Sequence, residues 1–394
     1  MIFNEALYPL FLLIAVTVFY LIPVQRRAGW LFVSGLAFYA YYADIFVFLF
    51  GLEALVVWLL MKNWRTRKDA FIFGILACVG ILGYYKYRNM AILTWAHLQQ
   101  IWNAQALPPV EALILPLAIS FFTFEFIHYL IDMRQGKIEK HSLTEFMAFV
   151  MFFPTMIAGP IKRFQGFVPQ ILSARFDWGH LNAGLQRILI GSAKKIVIAD
   201  SMDLWIAPLQ GGDLAGYDPG TLWVALLCYS IKIYVDFSGY SDIAIGSARL
   251  FGIVVPENFN WPYLRPNIAQ FWRHWHISLT SWITDYVFKS LGGSRVPFWR
   301  TLLNTLLAMA VSGIWHGAAW HFMVWGMYHG TLLALHRIWR EKIKPKMMWV
   351  ERFPRFYYAV CTLFTFLLVT LGWGLFIMPV GRFVKLMSRL VGIS

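Results

Sequence analysis

Two histidines have the residue type and setting for proton chemistry. His316 lies in SGIWHGAAW, residues 312–320, inside a stretch of 36 residues, 301–336, that contains no Asp, Glu, Lys or Arg. Burying an imidazole there costs free energy unless a partner or a wet cavity receives it. It is therefore a functional candidate or a packing histidine bonded to a neighbouring helix. Desolvation favours the neutral ring near pH 7, which suits a general base that takes a proton from a hydroxyl. His276 lies in FWRHWHISLTSWITDYVF, residues 271–288. On one helix through this stretch, Arg273, His276, Thr280 and Thr284 share an arc of about 80°, and Trp272, Trp275, Leu279, Trp282 and Tyr286 share another. The polar stripe could hold a ligand, or the helix could lie in the membrane interface. His274 and His276, two residues apart, point in nearly opposite directions, so at most one easily shares a site with His316, and His276 is favoured because Arg273 and Thr280 on its stripe could hold a polar ligand.

Other polar groups are weaker candidates. IYVDFSGYSDIAIG, residues 233–246, sets Asp236 and Asp242 among apolar residues. Lys232 stands four residues before the first acid and Arg249 seven after the second, which predicts structural pairing or a cavity lining, with a helix break at Gly239. Asn258 and Asn260 in PENFNWPY, residues 256–263, and Trp315 beside His316 could shape a pocket. No metal site is expected: H-E-x-x-H is missing, and His321 and His329 have no acid between them. The three cysteines, Cys78, Cys228 and Cys361, form no C-x-x-C pair. Neither a serine-histidine-acid signature nor a Gly-rich nucleotide loop occurs.

These groups must be positioned by membrane helices. The chain is 59% hydrophobic and 14% charged, against about 25% charged in soluble domains. Its net charge of +14 falls in clusters between apolar spans, where it sets topology and meets anionic lipid; nucleic-acid binding is not expected. The N-terminus lacks the basic region of a signal peptide and reads as a retained span. Spans near 6–24, then two more divided near Asp44 and ending at Lys62 to Lys68, then 70–85 and 113–131, put each basic cluster on one side. That side is cytoplasmic and the N-terminus extracytoplasmic. Trp95, His97 and Pro108-Pro109 are assigned to an outer loop. MFFPTMIAGPIKRF, residues 151–164, is broken by Pro154, Gly159 and Pro160 and is either re-entrant or a kinked span. Residues 185–206 read as another span, and the loop with Asp213 and Asp218 lies outside. A crossing helix needs only about 20 residues, so the uncharged run 301–336 must fold back or break. Gly313 and Gly317, at G-x-x-x-G spacing, would let a second helix approach beside His316.

With FFPTMIAGPI, DFSGYSDIAIG, ENFNWPY, FWRHWHISLTSWITDYVF, LGG at 291–293 and SGIWHGAAW in this order, the chain resembles the membrane-bound O-acyltransferase family, most closely its bacterial alginate O-acetyltransferase branch. The branch that D-alanylates teichoic acid is less similar around DFSGYSD and LGG. The resemblance covers roughly the whole chain, residues 1–394, as a single integral membrane domain, and is strongest over 151–336. It implies an all-α polytopic bundle of about 10–12 membrane helices, re-entrant pieces included, around a funnel that narrows to a tunnel. It implies that His316 is catalytic and that His276 is the second signature position, with Arg273, Thr280, Asp236, Asn258, Asn260 and Trp315 around the substrates. It further implies a bacterial inner membrane location, no bound cofactor, a cytoplasmic acyl thioester donor such as acetyl-CoA, and a periplasmic SGNH-type partner that completes transfer to a polysaccharide. Alginate-type members continue with further spans after the segment resembling VTLGWGLF, here 369–376, so the partner's docking surface is not defined by the resemblance. D-alanyl transfer remains open, as does a transporter or channel in which Asp236, Asp242, His276 and His316 relay ions. An inverted internal repeat would favour the latter, and the DFSGYSD and FWRHWH motifs have no counterpart in the first 150 residues.

Overall fold

The computed structural model describes residues 5, 7–43, 45–103, 111, 113–343 and 354–393. Asp44 and the Pro108-Pro109 pair lie outside the described residues. Among those described, every regular element is helical. Among the described residues, four helices are long and apolar enough to cross a membrane: Phe46–Trp64, Lys68–Gln100, Pro219–Leu250 and Pro354–Ile377. The chain groups into two compact units, Met1–Gly191 with Tyr240–Pro256, and Ser192–Gly239 with Glu257–Ser394.

The first unit begins with α1 (Leu7–Leu21), α2 (Arg27–Ala43), α3 (Phe46–Trp64) and α4 (Lys68–Leu82), then α5 (Arg88–Asn103) and α6 (Ile119–Arg134). A π-helical turn, Gly83–Tyr87, joins α4 to α5 without a break. Trp95 and His97 are therefore helical and not in a loop; no Gly or Pro stops the helix between residues 84 and 103. Lipid offers no hydrophobic drive between apolar helices, so they associate through close packing and interhelical hydrogen bonds. Phe50 and Phe122 stack at 4.6 Å, and the Tyr8 hydroxyl donates to Ser247 Oγ at 2.8 Å. A Cβ on Gly35 would fall 1.6 Å from the Met151 carbonyl oxygen, so only glycine lets α2 lie against that backbone.

The broken motif, residues 151–164, follows α7 (Leu143–Val150), contains the short helix α8 (Phe153–Met156) and an irregular stretch over 157–163, and ends at the start of α9 (Phe164–Ser173). It is not one kinked helix. Pro154 sits in the first turn of α8, where it is tolerated, and beyond it the chain is irregular but buried. Several polar groups there engage one another. Lys162 Nζ lies 2.5 Å from Glu125 Oε1, both side chains buried, and 4.5 Å above the Phe149 ring. The Phe164 N–H donates to His128 Nε2 at 3.4 Å, and Asp132 accepts from Lys137 at 3.2 Å and Gln165 at 3.1 Å.

Next come α10 (Trp178–Ala193), α11 (Asp203–Gln210) and α12 (Pro219–Leu250), the last with residues in both units. Gly239 does not break α12, which runs for 32 residues. The acids on it are paired, but not with the neighbours that helical spacing suggests. Asp236 meets Lys195 at 2.9 Å and Asp242 meets Arg187 at 2.5 Å, while Lys232 pairs with Asp203. The partners come from other segments, so the tertiary fold and not the helical register selects them.

The second unit continues with α13 (Ile268–His274), α14 (Ile277–Ile283), α15 (Phe298–His316), α16 (Trp320–Ile338), α17 (Pro354–Ile377) and α18 (Val380–Leu390). The uncharged run folds back as expected, with α15 and α16 joined by three residues, 317–319. Added at Gly313, a Cβ would lie 2.2 Å from the Phe322 carbonyl oxygen and 3.1 Å from Gly326 Cα, so the two helices meet backbone to backbone. Gly317 is past the helix end, and the Phe322 ring occupies the place of its missing side chain. The core is aromatic: Trp275 lies 4.8 Å from Trp373 and Trp325 stacks on Trp373 at 5.8 Å.

Candidate active site

The stretch 271–288 is not one helix. It divides at Trp275 and His276 into two seven-residue helices followed by a π-helical turn, Thr284–Phe288. The break removes the stripe expected to join Arg273, His276 and Thr280. Arg273 is exposed while His276 is 1% exposed. Thr280 spends its hydroxyl on the Trp275 carbonyl at 3.2 Å, and Thr284 donates to the Thr280 carbonyl. His274 faces elsewhere, its Nδ1 2.7 Å from the Gln270 carbonyl oxygen.

His276 itself is at φ 42°, ψ 54°, a left-handed conformation. For a non-glycine residue such strain persists only where surrounding structure enforces it, and it concentrates at functional sites. The hold comes from the PENFNWPY segment. The Ile277 N–H donates to the Asn258 carbonyl at 2.9 Å and the Asn260 N–H to the His274 carbonyl at 3.1 Å. Asn258, fully buried, accepts from the Ser278 hydroxyl at 2.6 Å and the Ser278 N–H at 3.3 Å. Asn260 is exposed and its side chain accepts from Arg265 at 3.3 Å, so the two asparagines do different work.

The two candidate histidines come together. Their ring centroids are 6.5 Å apart. His276 lies edge-on to Phe237 at 4.6 Å and to Trp315 at 5.8 Å. His316, half-buried at the end of α15, is surrounded by Trp315 at 4.9 Å, Trp325 at 5.1 Å and Phe376 at 5.1 Å. Neither ring nitrogen of His276 has a hydrogen-bond partner among the described residues. Burial holds the His276 imidazole well below its ordinary range, and the nearby His316 ring pushes in the same direction. His276 thus presents a neutral imidazole inside an aromatic wall, a group able to accept and return a proton or to donate one hydrogen bond to a developing oxyanion.

Asp236 precedes Phe237 on α12 and is held by Lys195, a supporting position beside the wall. Phe237, Trp325, Phe376 and Ser278 were not expected. Phe237 stands inside DFSGYSD, where the two acids drew attention away from it, and Ser278 carries no signal while the helix is taken as continuous. Among the described residues, no group of three or more His, Cys, Asp or Glu is placed to hold a metal ion.

The chain is 36% identical over 379 residues to the probable alginate O-acetylase of Azotobacter vinelandii, covering 93% of this chain and 73% of the relative. It is 35% identical over 379 residues to the probable alginate O-acetylase of Pseudomonas aeruginosa, covering 93% and 70%. To the peptidoglycan O-acetyltransferase of Helicobacter pylori it is 33% identical over 387 residues, covering 88% and 70%. The sequence profile of the membrane-bound O-acyltransferase family matches residues 78–378, a region that takes in both units and both histidines. This multi-pass membrane protein therefore belongs to the membrane-bound O-acyltransferase family.

Proposed function

We propose that the chain moves an acetyl group from a cytoplasmic thioester donor, acetyl-CoA, to an extracytoplasmic hydroxyl of a cell-surface polysaccharide or exopolysaccharide. The observation that carries this reading is the buried His276 held 6.5 Å from His316, ring to ring, inside an aromatic wall. His316 takes the acceptor's hydroxyl proton as the oxygen attacks the thioester carbon. The carbon–sulfur bond then breaks, and the thiolate leaves with the proton that His316 returns. His276 orients the donor carbonyl or stabilises its oxyanion through a ring N–H. Trp315, in contact with both rings, shapes the pocket, and Asp236 supports it through Lys195.

The names of the relatives, alginate O-acetylase and peptidoglycan O-acetyltransferase, support acetyl transfer. Basic clusters between spans support a cytoplasmic anionic donor and an extracytoplasmic N-terminus in a bacterial inner membrane. On this reading a funnel narrowing to a tunnel gives the acyl group its path, and a periplasmic SGNH-type partner completes transfer. The test is release of radiolabel from acetyl-CoA by the protein in lipid, with and without that partner. Label transfer that vanishes in His316→Ala supports the reading; transfer that persists in the variant overturns the role of His316. Transfer from a D-alanyl carrier instead of acetyl-CoA would move the acyl assignment, and ion flux without transfer would move the class.

A further inference from the structure

We infer that Asn258 is a positioning residue, a helix cap supplied in trans that holds His276 in its left-handed turn so that the imidazole faces His316; this rests on the proposed acyltransferase site. The first N–H groups of a helix lack intrahelical acceptors, and a side-chain oxygen at the N-cap usually serves one of them. At α14 the N-cap is His276, whose side chain makes no capping bond. Asn258 supplies two of the missing acceptors. Its backbone carbonyl takes the Ile277 N–H, and its side-chain oxygen takes the Ser278 N–H together with the Ser278 hydroxyl.

Two consequences follow from that substitution of roles. The imidazole of His276 is released from the local backbone, and both its nitrogens stay available inside the site. The backbone at Trp275, which is extended, and at His276 cannot both slip into the right-handed conformation that would fuse α13 and α14, because the clasp fixes the residues on each side: Asn260 bonds His274, and Asn258 bonds Ile277 and Ser278. Fusing the helices would swing residue 276 onto the stripe with Arg273, which is exposed. Asn258, fully buried with its oxygen engaged by Ser278, is placed to act on the reaction through His276.

Two measurements on the purified full chain in lipid test this. The first is the rate of diethyl pyrocarbonate modification of His276, read by peptide mass spectrometry, which needs no activity. The wild-type ring should be protected, Asn258→Ala should expose it at least about tenfold, and Asn258→Asp, which keeps the acceptor, should restore protection. The second is acetyl transfer: Asn258→Ala should lower kcat about 10²-fold with little change in KM. The double variant with His276→Ala should be no worse than His276→Ala alone. Unchanged protection in Asn258→Ala, or a loss confined to KM, overturns the inference and returns Asn258 to substrate binding. Should Asn258→Ala not fold, Ser278→Ala, which removes one of the two side-chain bonds, must show the same partial exposure or the inference falls. If the wild type transfers nothing, the proposed function fails, while the protection data still decide the clasp.

Discussion

Both units contain a stretch where helix gives way to irregular backbone, and the two stretches treat polar groups in opposite ways. In the first unit, the chain around Lys162 engages its polar side chains with one another: Lys162 with Glu125, Asp132 with Lys137 and Gln165, and the Phe164 N–H with His128. In the second, the break at His276 satisfies its backbone through Asn258 and leaves the imidazole nitrogens unspent. Irregular backbone inside a membrane protein is tolerated only where its groups are satisfied. Where the side chains are satisfied as well, the stretch serves architecture; where they are left over, it serves chemistry.

Mutations can break this contrast, beginning with the largest effect. His316→Ala should reduce transfer about 10³-fold with normal expression and melting behaviour, measured by label transfer and thermal unfolding in detergent. Glu125→Gln should do the reverse. It strands a buried lysine at a cost of about 3–5 kcal/mol, seen as a lower Tm, with activity per folded molecule nearly intact, and Lys162→Met added to it should recover part of the loss. Gly313→Ala, whose new methyl meets the Phe322 carbonyl at 2.2 Å, should cost about 1–3 kcal/mol and also lower kcat, since α15 carries His316.

Acidification sharpens the contrast further. His276 has its affinity for protons depressed in the folded protein, so its contribution to stability is full above its ordinary value of 6.5 and is lost as pH falls below it. His276→Gln should therefore lose less Tm than wild type between pH 7.5 and 5.5, the two pH values about one unit either side of the free imidazole. Arg273→Ala should do least: the side chain is exposed, so Tm and transfer should stay within about 0.5 kcal/mol of wild type.

Much of the architecture was legible because membrane crossing leaves a coarse signal. The uncharged run over 301–336 was too long for one span, and it folds back at residues 317–319; the Gly313 contact with α16 followed from its lack of bulk. His276 and His316 were both singled out, and their rings lie 6.5 Å apart. What was not legible depends on tertiary partners. The partners of Asp236 and Asp242 lie on other helices, so intrahelical spacing misassigned them. The break at His276 has no proline or glycine to announce it, because the force that bends the chain comes from Asn258, 18 residues upstream in the sequence. Periodicity therefore read one helix and placed Arg273 and Thr280 beside a histidine they do not flank.

The left-handed backbone at position 276 also sets what a stability screen would find there. Glycine adopts φ 42° without penalty and asparagine with little, whereas histidine bears the strain. Variants chosen for heat resistance alone should thus drift toward His276→Gly or His276→Asn, gaining robustness while discarding the ring. A library sorted on both melting temperature and transfer would separate at this one codon, marking it as a place where durability and turnover pull the residue in different directions.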